Sequence, residues 1–439
     1  MDAPSLATPG SRLAIRGDIL DFRADPGDER DAGDAVRLEP DGWLLVDDGR
    51  VADVLARGGD PGAHRRRIDW SGRLVMPGLI DAHVHAPQLD VIGSHGSQLL
   101  EWLDVYTFPA EARCADPEVA GLQAERFVRL LLAHGTTAAV AFATVHAASA
   151  DALFAAAQAQ GMRLVAGKVL MDRHAPAALC DDAGRGERES VALIERWHGR
   201  DRLAYAVTPR FAPTSSDAQL AMAGALYRAW PDLFMQTHLA ENRDEVRWVA
   251  ELFPGARSYL DVYARAGLLG ARGVFAHGIW LDDADRRALA EAGAAIAFCP
   301  SSNLFLGSGL FDWRQAAGAG VAVAPATDVG GGTSLSMLRT LAEGYKVQAM
   351  LGWRPTAWAL LHAATLGAAR ALRLDHEIGS FAPGCIADAV VLDWAVGDLA
   401  RHRLAAARDW HERLFALVTL GDERNVAATY VAGVERYRR

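Results

Sequence analysis

From Leu79 to Val329 the chain alternates short apolar runs with longer stretches in which alanine, leucine and charged residues recur at helical spacing. The runs at 79–85, 136–144, 163–170, 203–210, 234–241, 272–279, 294–300 and 322–329 read as buried strands. The stretches at 117–133, 149–160, 187–198, 217–229, 244–252 and 282–292 read as helices between them. Eight βα units over roughly 250 residues predict a TIM-like (β/α)8 barrel. A doubly wound parallel sheet is the competing arrangement. It would carry a glycine-rich phosphate turn after its first strand, and no Gly-x-Gly-x-x-Gly stands there.

The two ends of the chain read differently. β-type runs stand at 12–21 and 66–75, and 42–54 carries a hairpin signature in which Asp47-Asp48-Gly49 joins two apolar runs. Residues 24–34, rich in Asp and Gly, read as a loop, and residues 1–9 as a disordered start. Strand-like text returns at 388–393 and 426–434. Together these predict a small β-sandwich domain built from 1–75 and 381–439, with the barrel, 76–380, inserted between its halves.

Composition narrows the setting. The 439 residues carry a formal charge of -10 and are 51% hydrophobic, enough for a large core. An acidic balance with no basic block argues against nucleic acid or an anionic membrane as partner. No apolar run reaches ~18 residues, so no transmembrane helix is expected, and no signal peptide is evident at 1–15. The cysteines, at 114, 180, 299 and 385, form no Cys-x-x-Cys, which suits a reducing cytoplasm. Lysine occurs only at Lys168 and Lys346, which marks them as places a guanidinium would not fill.

Chemistry gathers at the ends of the barrel runs. Pro77, Gly78 and Pro87 bracket the first strand, which closes on His83 and His85. Strand alternation sends both imidazoles to one face. Alone, such a pair could be satisfied core histidines. The fifth run, however, closes on His238 and Glu241, the sixth on His277 and the eighth on Asp328. In a barrel, the C-terminal strand ends form the active face. Three histidines and an aspartate there, with a further histidine close by, make a nitrogen/oxygen donor set suited to Zn²⁺, with Fe²⁺ allowed by the same ligand logic.

Several stretches carry a resemblance. Pro-Gly-Leu-Ile-Asp-Ala-His-Val-His (77–85), the strand-end His238 and His277, and Thr-Asp-Val-Gly-Gly-Gly (327–332) resemble the amidohydrolase superfamily. Leu99–Leu103 with Tyr106–Pro109, Gly167–Arg173, Thr208–Ala212, Gln236–Asn242 and Cys299–Gly309 resemble its guanine-deaminase branch, and the likeness runs from about 70 to 395. Ser301 stands where that branch leads one to expect Thr, and His174 where it leads one to expect Asn; the second could alter a loop near the site.

The resemblance implies one zinc per chain, with iron possible, held by His83, His85, His238 and Asp328. It implies that His277 orients the attacking water or the substrate, and that Glu241 shuttles protons with Asp328 assisting. Gln88, Arg210 and Phe211, with His238 and His277, would hold guanine. The residues themselves leave Glu241 open to being a surface glutamate at a helix start, and Arg210 to being a salt-bridged structural residue. Binuclear relatives place a lysine or carboxylate at the end of the fourth strand; here that end reads Val207-Thr208-Pro209-Arg210, which implies a single ion. The implied reaction is hydrolysis of guanine to xanthine and ammonia in purine breakdown, by a cytoplasmic homodimer. The alternatives are a related enzyme acting on another purine, pyrimidine or triazine ring, and a non-catalytic scaffold.

Overall fold

Residues 11–96 and 98–439 are described by a computed structural model. The expected disordered start at 1–9 lies outside them. Four strands come first: β1 (Arg12–Phe22), β2 (Val36–Asp47), β3 (Arg50–Leu55) and β4 (Arg66–Pro77). The expected hairpin is β2–β3. Its turn residues Asp48 and Gly49 both have positive φ, 50° and 78°, the conformation in which a two-residue turn matches the twist of its strands.

The barrel strands follow: β5 (Leu79–His85), β6 (Thr136–Phe142), β7 (Arg163–Gly167), the short β8 (Val169–Leu170) that continues it, β9 (Leu203–Pro209), with which β8 pairs, β10 (Phe234–Leu239), β11 (Gly273–His277), β12 (Ala295–Phe298) and β13 (Ala322–Pro325). Leaving β8 aside, they pair in parallel in chain order, and the connecting helices stand where the apolar spacing puts them, at Pro117–Ala133, Ala147–Gln160, Ala183–Trp197, Asp217–Ala229, Arg243–Leu252 and Asp283–Ala292. This is the (β/α)8 barrel. Its interior is narrow and dominated by small side chains: Ala138, Ala206, Ala276, Ala297 and Ala324 pack there with Ile80, Val140, Val165 and Phe234. The larger Leu, Phe and Trp residues fill the layer between strands and helices.

Closure of the barrel builds the site. β13 and β5 share no ladder. Instead the Asp328 N–H donates to the His83 carbonyl at 2.9 Å, and the His85 N–H to the Val329 carbonyl at 2.8 Å. Asp81 fastens the same seam by accepting from the backbone N–H and the hydroxyl of Thr327. Simple alternation does not carry through β5. Ile80 and Ala82 face the interior and Val84 the outer layer, while the register against β6 shifts between Asp81 and Val84. That irregularity lets His83 and His85 both turn into the barrel mouth.

The last strands, β14 (Ala389–Leu392), β15 (Val426–Val431) and β16 (Val434–Arg438), join β1–β4 in one mixed sheet ordered β16-β15-β14-β4-β1-β2-β3. The N- and C-terminal segments therefore build it jointly. Backbone bonds Val51 N–H to Cys385 O and Gly384 N–H to Val51 O bring the β3 edge back to the segment entering β14. The sheet thus folds over a small core that includes Ile15, Ile19, Leu44, Val46, Val51, Val75 and Val391. Arg202, just before β9, ties barrel to sheet through a buried pair with both oxygens of Asp388, at 3.0 and 2.5 Å.

Candidate active site

The C-terminal strand ends converge as the sequence predicts. Asp328 Oδ1 lies 3.2 Å from His83 Nε2 and 3.3 Å from His85 Nε2. His85 Nε2 lies 3.1 Å from His83 Nε2 and 3.2 Å from His238 Nε2. Phe142, at the end of β6, packs on all three rings at centroid distances of 4.8 to 5.0 Å. His238 Nδ1 meets the Arg210 carbonyl at 2.7 Å. A carbonyl only accepts, so Nδ1 carries the proton and Nε2 points an unshared pair into the cluster. Burial pushes His85 down to about 3 and His238 well below its ordinary value, with mutual repulsion among the rings adding to the effect. His85 and His238 are thus held neutral, each with a lone pair open to a cation. Ligands at ~2.0–2.1 Å around a tetrahedral ion stand about 3.3 Å from one another, close to the separations here. The four residues therefore fit a divalent metal.

Beside this cluster stand His277 and Glu241. His277 Nδ1 lies 2.8 Å from Asn303 Oδ1, which leaves Nε2 facing Glu241 Oε2 at 3.4 Å and Asp328 Oδ2 at 3.7 Å. Both His277 and Asp328 have positive φ, 71° and 49°, uncommon for residues with a side chain. The glycines after Asp328 permit its sharp turn: a Cβ on Gly332 would stand 1.7 Å from the Thr327 carbonyl. Glu241 is buried at 2% exposure, so it is no surface glutamate. The chain leaves β10 through it, and the next helix opens only at Arg243, where Asn242 and Glu245 form a reciprocal cap. Ser308 Oγ donates to Glu241 Oε1 at 3.0 Å. Burial, with the Asp328 charge nearby, pushes Glu241 up to about 8.

One cavity joins His85, His238, Asp328, His277 and Glu241 to Gln88, Arg210 and Phe211. Its apolar walls include Leu99, Trp102, Leu103 and Leu306. Arg210 is both a cavity-lining residue and salt-bridged, since its Nη1 donates to the Glu111 oxygens at 2.9 and 2.7 Å. Gln88 Nε2 donates to Glu111 Oε1 at 2.8 Å, and Gln88 Oε1 accepts from the Gly330 N–H at 3.1 Å.

A family model for the amidohydrolases matches residues 74–436. The chain belongs to the amidohydrolase family. Amidohydrolases depend on metal, in keeping with the donor set above. Guanine deaminase of Escherichia coli K12 is 44% identical to this amidohydrolase over 97% of this chain and 98% of that one. The solved E. coli guanine deaminase superposes with a TM-score of 0.94 at 44% identity, covering 97% of this chain and 100% of that chain. A guanine deaminase from C. acetobutylicum, solved with guanine in its active site, is 27% identical with a TM-score of 0.87, covering 97% and 100%.

The site thus holds every residue the sequence pointed to: His83, His85, Gln88, Arg210, Phe211, His238, Glu241, His277 and Asp328. Sequence reasoning passed over Glu111, Phe142, Asn303 and Ser308. Asn303 and Ser308 lie within a stretch that resembles the family, but nothing singled them out. Lys168 is taken up elsewhere, buried among the Val145 carbonyl, Asp181 and Glu189. His174 meets the Pro213 carbonyl and packs 5.2 Å from Trp248, which in turn abuts Phe211, so it touches the site only through an intermediary. Ser301 braces the glycine loop through Thr333.

Proposed function

We propose that this amidohydrolase deaminates guanine hydrolytically, giving xanthine and ammonia. One observation carries the reading. A single cavity is lined by His85, His238 and Asp328 of the three-histidine-and-aspartate cluster, by Glu241, and by a planar arginine donor, Arg210, with the Gln88 amide. The likeness to guanine deaminases over nearly the whole chain supports the same conclusion. In this reading His83, His85, His238 and Asp328 hold one zinc, or iron(II), per chain. Bound there, such an ion supplies hydroxide near neutral pH. Lys168 is held in its own ion pairs and the Cys299 thiol donates to the Ala297 carbonyl, which supports a single ion.

Arg210 and Gln88 hold the purine edge and Phe211 packs on it. Leu99, Trp102, Leu103 and Leu306 keep bulk water away. Glu241 takes a proton from the attacking water and passes it to a ring nitrogen, which makes C2 electrophilic. The water oxygen bonds to C2, a second proton reaches the exocyclic amine through Glu241, the C–N bond breaks, and ammonia departs. His277, oriented by Asn303, steers the attacking water or the substrate with Nε2. A carboxylate serving as base and then acid works best with a pKa near the working pH, and burial brings Glu241 toward that range.

The reaction belongs to purine breakdown in the cytoplasm, and the assembly we propose is a homodimer. The four cysteines, all unpaired, suit a reducing compartment. No helix among the described residues is long and apolar enough to cross a membrane. Incubation of the metal-loaded protein with guanine, adenine and a chlorotriazine tests the substrate. Ammonia with loss of the guanine spectrum is expected from guanine alone. Turnover of another ring in preference to guanine would overturn the assignment.

A further inference from the structure

Glu111 sits one turn after Phe108 on the short helix Phe108–Ala112 and is fully buried. From that helix come two holds on Arg210. The Phe108 ring lies 5.3 Å from the guanidinium carbon, and the Glu111 carboxylate takes Nη1 with both oxygens. The same carboxylate accepts from Gln88 Nε2. Because Gln88 Oε1 is meanwhile occupied by the Gly330 N–H, the Gln88 amide is locked in one orientation. Glu111 itself is not among the residues lining the cavity; it stands behind the two that are. Among the described residues, the guanidinium's hydrogen bonds run from Nη1 to Glu111, which leaves Nη2 and Nε as donors for the cavity.

We infer that Glu111 is a positioning residue for substrate specificity. It neutralises Arg210, turns the remaining guanidinium donors toward the 6-oxo edge of the purine, and fixes which end of the Gln88 amide faces the ligand. An arginine without its carboxylate in a dry cavity would attract anions; the Arg210–Glu111 pair instead presents directed donors at no net charge, which suits a neutral base. Guanine's C6 oxygen is an acceptor for those guanidinium donors. The inference rests on the purine reading above and adds to it the residue that enforces recognition of the C6 oxygen.

The discriminating probes are hypoxanthine and unsubstituted purine. Both lack the 2-amino leaving group and so are not turned over, and they differ in the C6 oxygen. In Glu111→Gln the side chain keeps its size but puts an amide nitrogen against donors. With the amide oxygen at the Oε1 position Gln88 and Arg210 both keep that acceptor, but the amide nitrogen faces Arg210 Nη1 where Oε2 stood at 2.7 Å, so Arg210 loses its second acceptor, its counter-charge and its aim. Calorimetric titration of the metal-loaded enzyme should show hypoxanthine binding weakened about tenfold or more and purine binding changed by less than about twofold. The KM for guanine should rise in step with the hypoxanthine constant, with kcat changing less. Glu111→Asp, which keeps the charge but withdraws the carboxylate by one methylene, should show the same selectivity loss in milder form, and it carries the test should the glutamine variant not fold. Equal weakening of both ligands would make Glu111 structural and overturn the inference. So would unchanged binding of both. Should wild type release no ammonia from guanine while the selective loss for hypoxanthine persists, the deaminase reading would fail and the role of Glu111 would stand.

Discussion

Glu241→Gln separates proton transfer from everything else the site does. In the folded chain Glu241 Oε1 accepts from Ser308 at 3.0 Å, and Oε2 faces His277 Nε2 at 3.4 Å. The variant's amide oxygen can keep the Ser308 bond. Its amide nitrogen then meets His277 Nε2, whose pair is unshared because Nδ1 is turned to Asn303. The substitution therefore introduces no buried mismatch, and none of the hydrogen bonds of His83, His85 or His238 runs to Glu241. Metal content should match wild type, and the melting temperature should be no lower than that of wild type, since the buried carboxylate's raised pKa costs stability that the neutral amide does not. What the amide cannot do is accept and return a proton. A general acid–base group contributes ~10²–10⁴-fold, and one used twice belongs at the upper end. A loss of about 10⁴ in kcat corresponds to about 5.4 kcal/mol of barrier. Ammonia release under saturating guanine, run beside elemental analysis and thermal melts of both proteins, is the assay. A variant with intact metal and fold that retains kcat within about tenfold of wild type, well short of that range, would remove Glu241 from proton transfer.

Three further outcomes follow from the same geometry. Arg210→Ala should raise the KM for guanine and narrow the gap between guanine and adenine affinity, with adenine measured as an inhibitor, and lysine should rescue poorly for want of the planar fork; because it strands Glu111, it should also cost about 3–5 kcal/mol of stability in denaturant unfolding. Elemental analysis of protein purified without chelator should approach one zinc or iron per chain, with two tightly held, essential metals contradicting the single-site reading. Glu245 is pushed by burial and by the Glu241 charge from 4.5 up to about 7, so the folded chain keeps a proton there that the unfolded chain has lost; stability from this group is present below pH ~4.5 and falls as pH rises through about 7, and Glu245→Gln should flatten the melting temperature against pH across that window.

The barrel and the metal cluster were legible because both leave local marks. Strands buried on both faces read as continuous apolar runs, and a polar residue at a strand end follows such a run directly, as His83, His85, His238, His277 and Asp328 all do. Contacts between distant segments leave no such mark. Glu111 finds Arg210 across 99 positions of sequence, from a helix turn too short to show a period. Asp81 is one more residue in the His-x-His stretch until barrel closure brings it to Thr327, 246 positions away. The irregularity in β5 that turns His83 inward is likewise set by its register against β6, not by its own residues. Arg210 shows how two readings of one residue can both hold, for it is salt-bridged and cavity-lining at once.

Hydrolysis at C2 is the central claim, and oxygen-18 water tests it most directly. Metal-loaded enzyme is incubated with guanine in labelled water, and product mass and ammonia are followed together. Xanthine carrying one heavy oxygen, formed with one ammonia per guanine consumed, is the predicted result; ammonia accompanied by unlabelled product, or guanine left unchanged by fully metal-loaded protein, would contradict it.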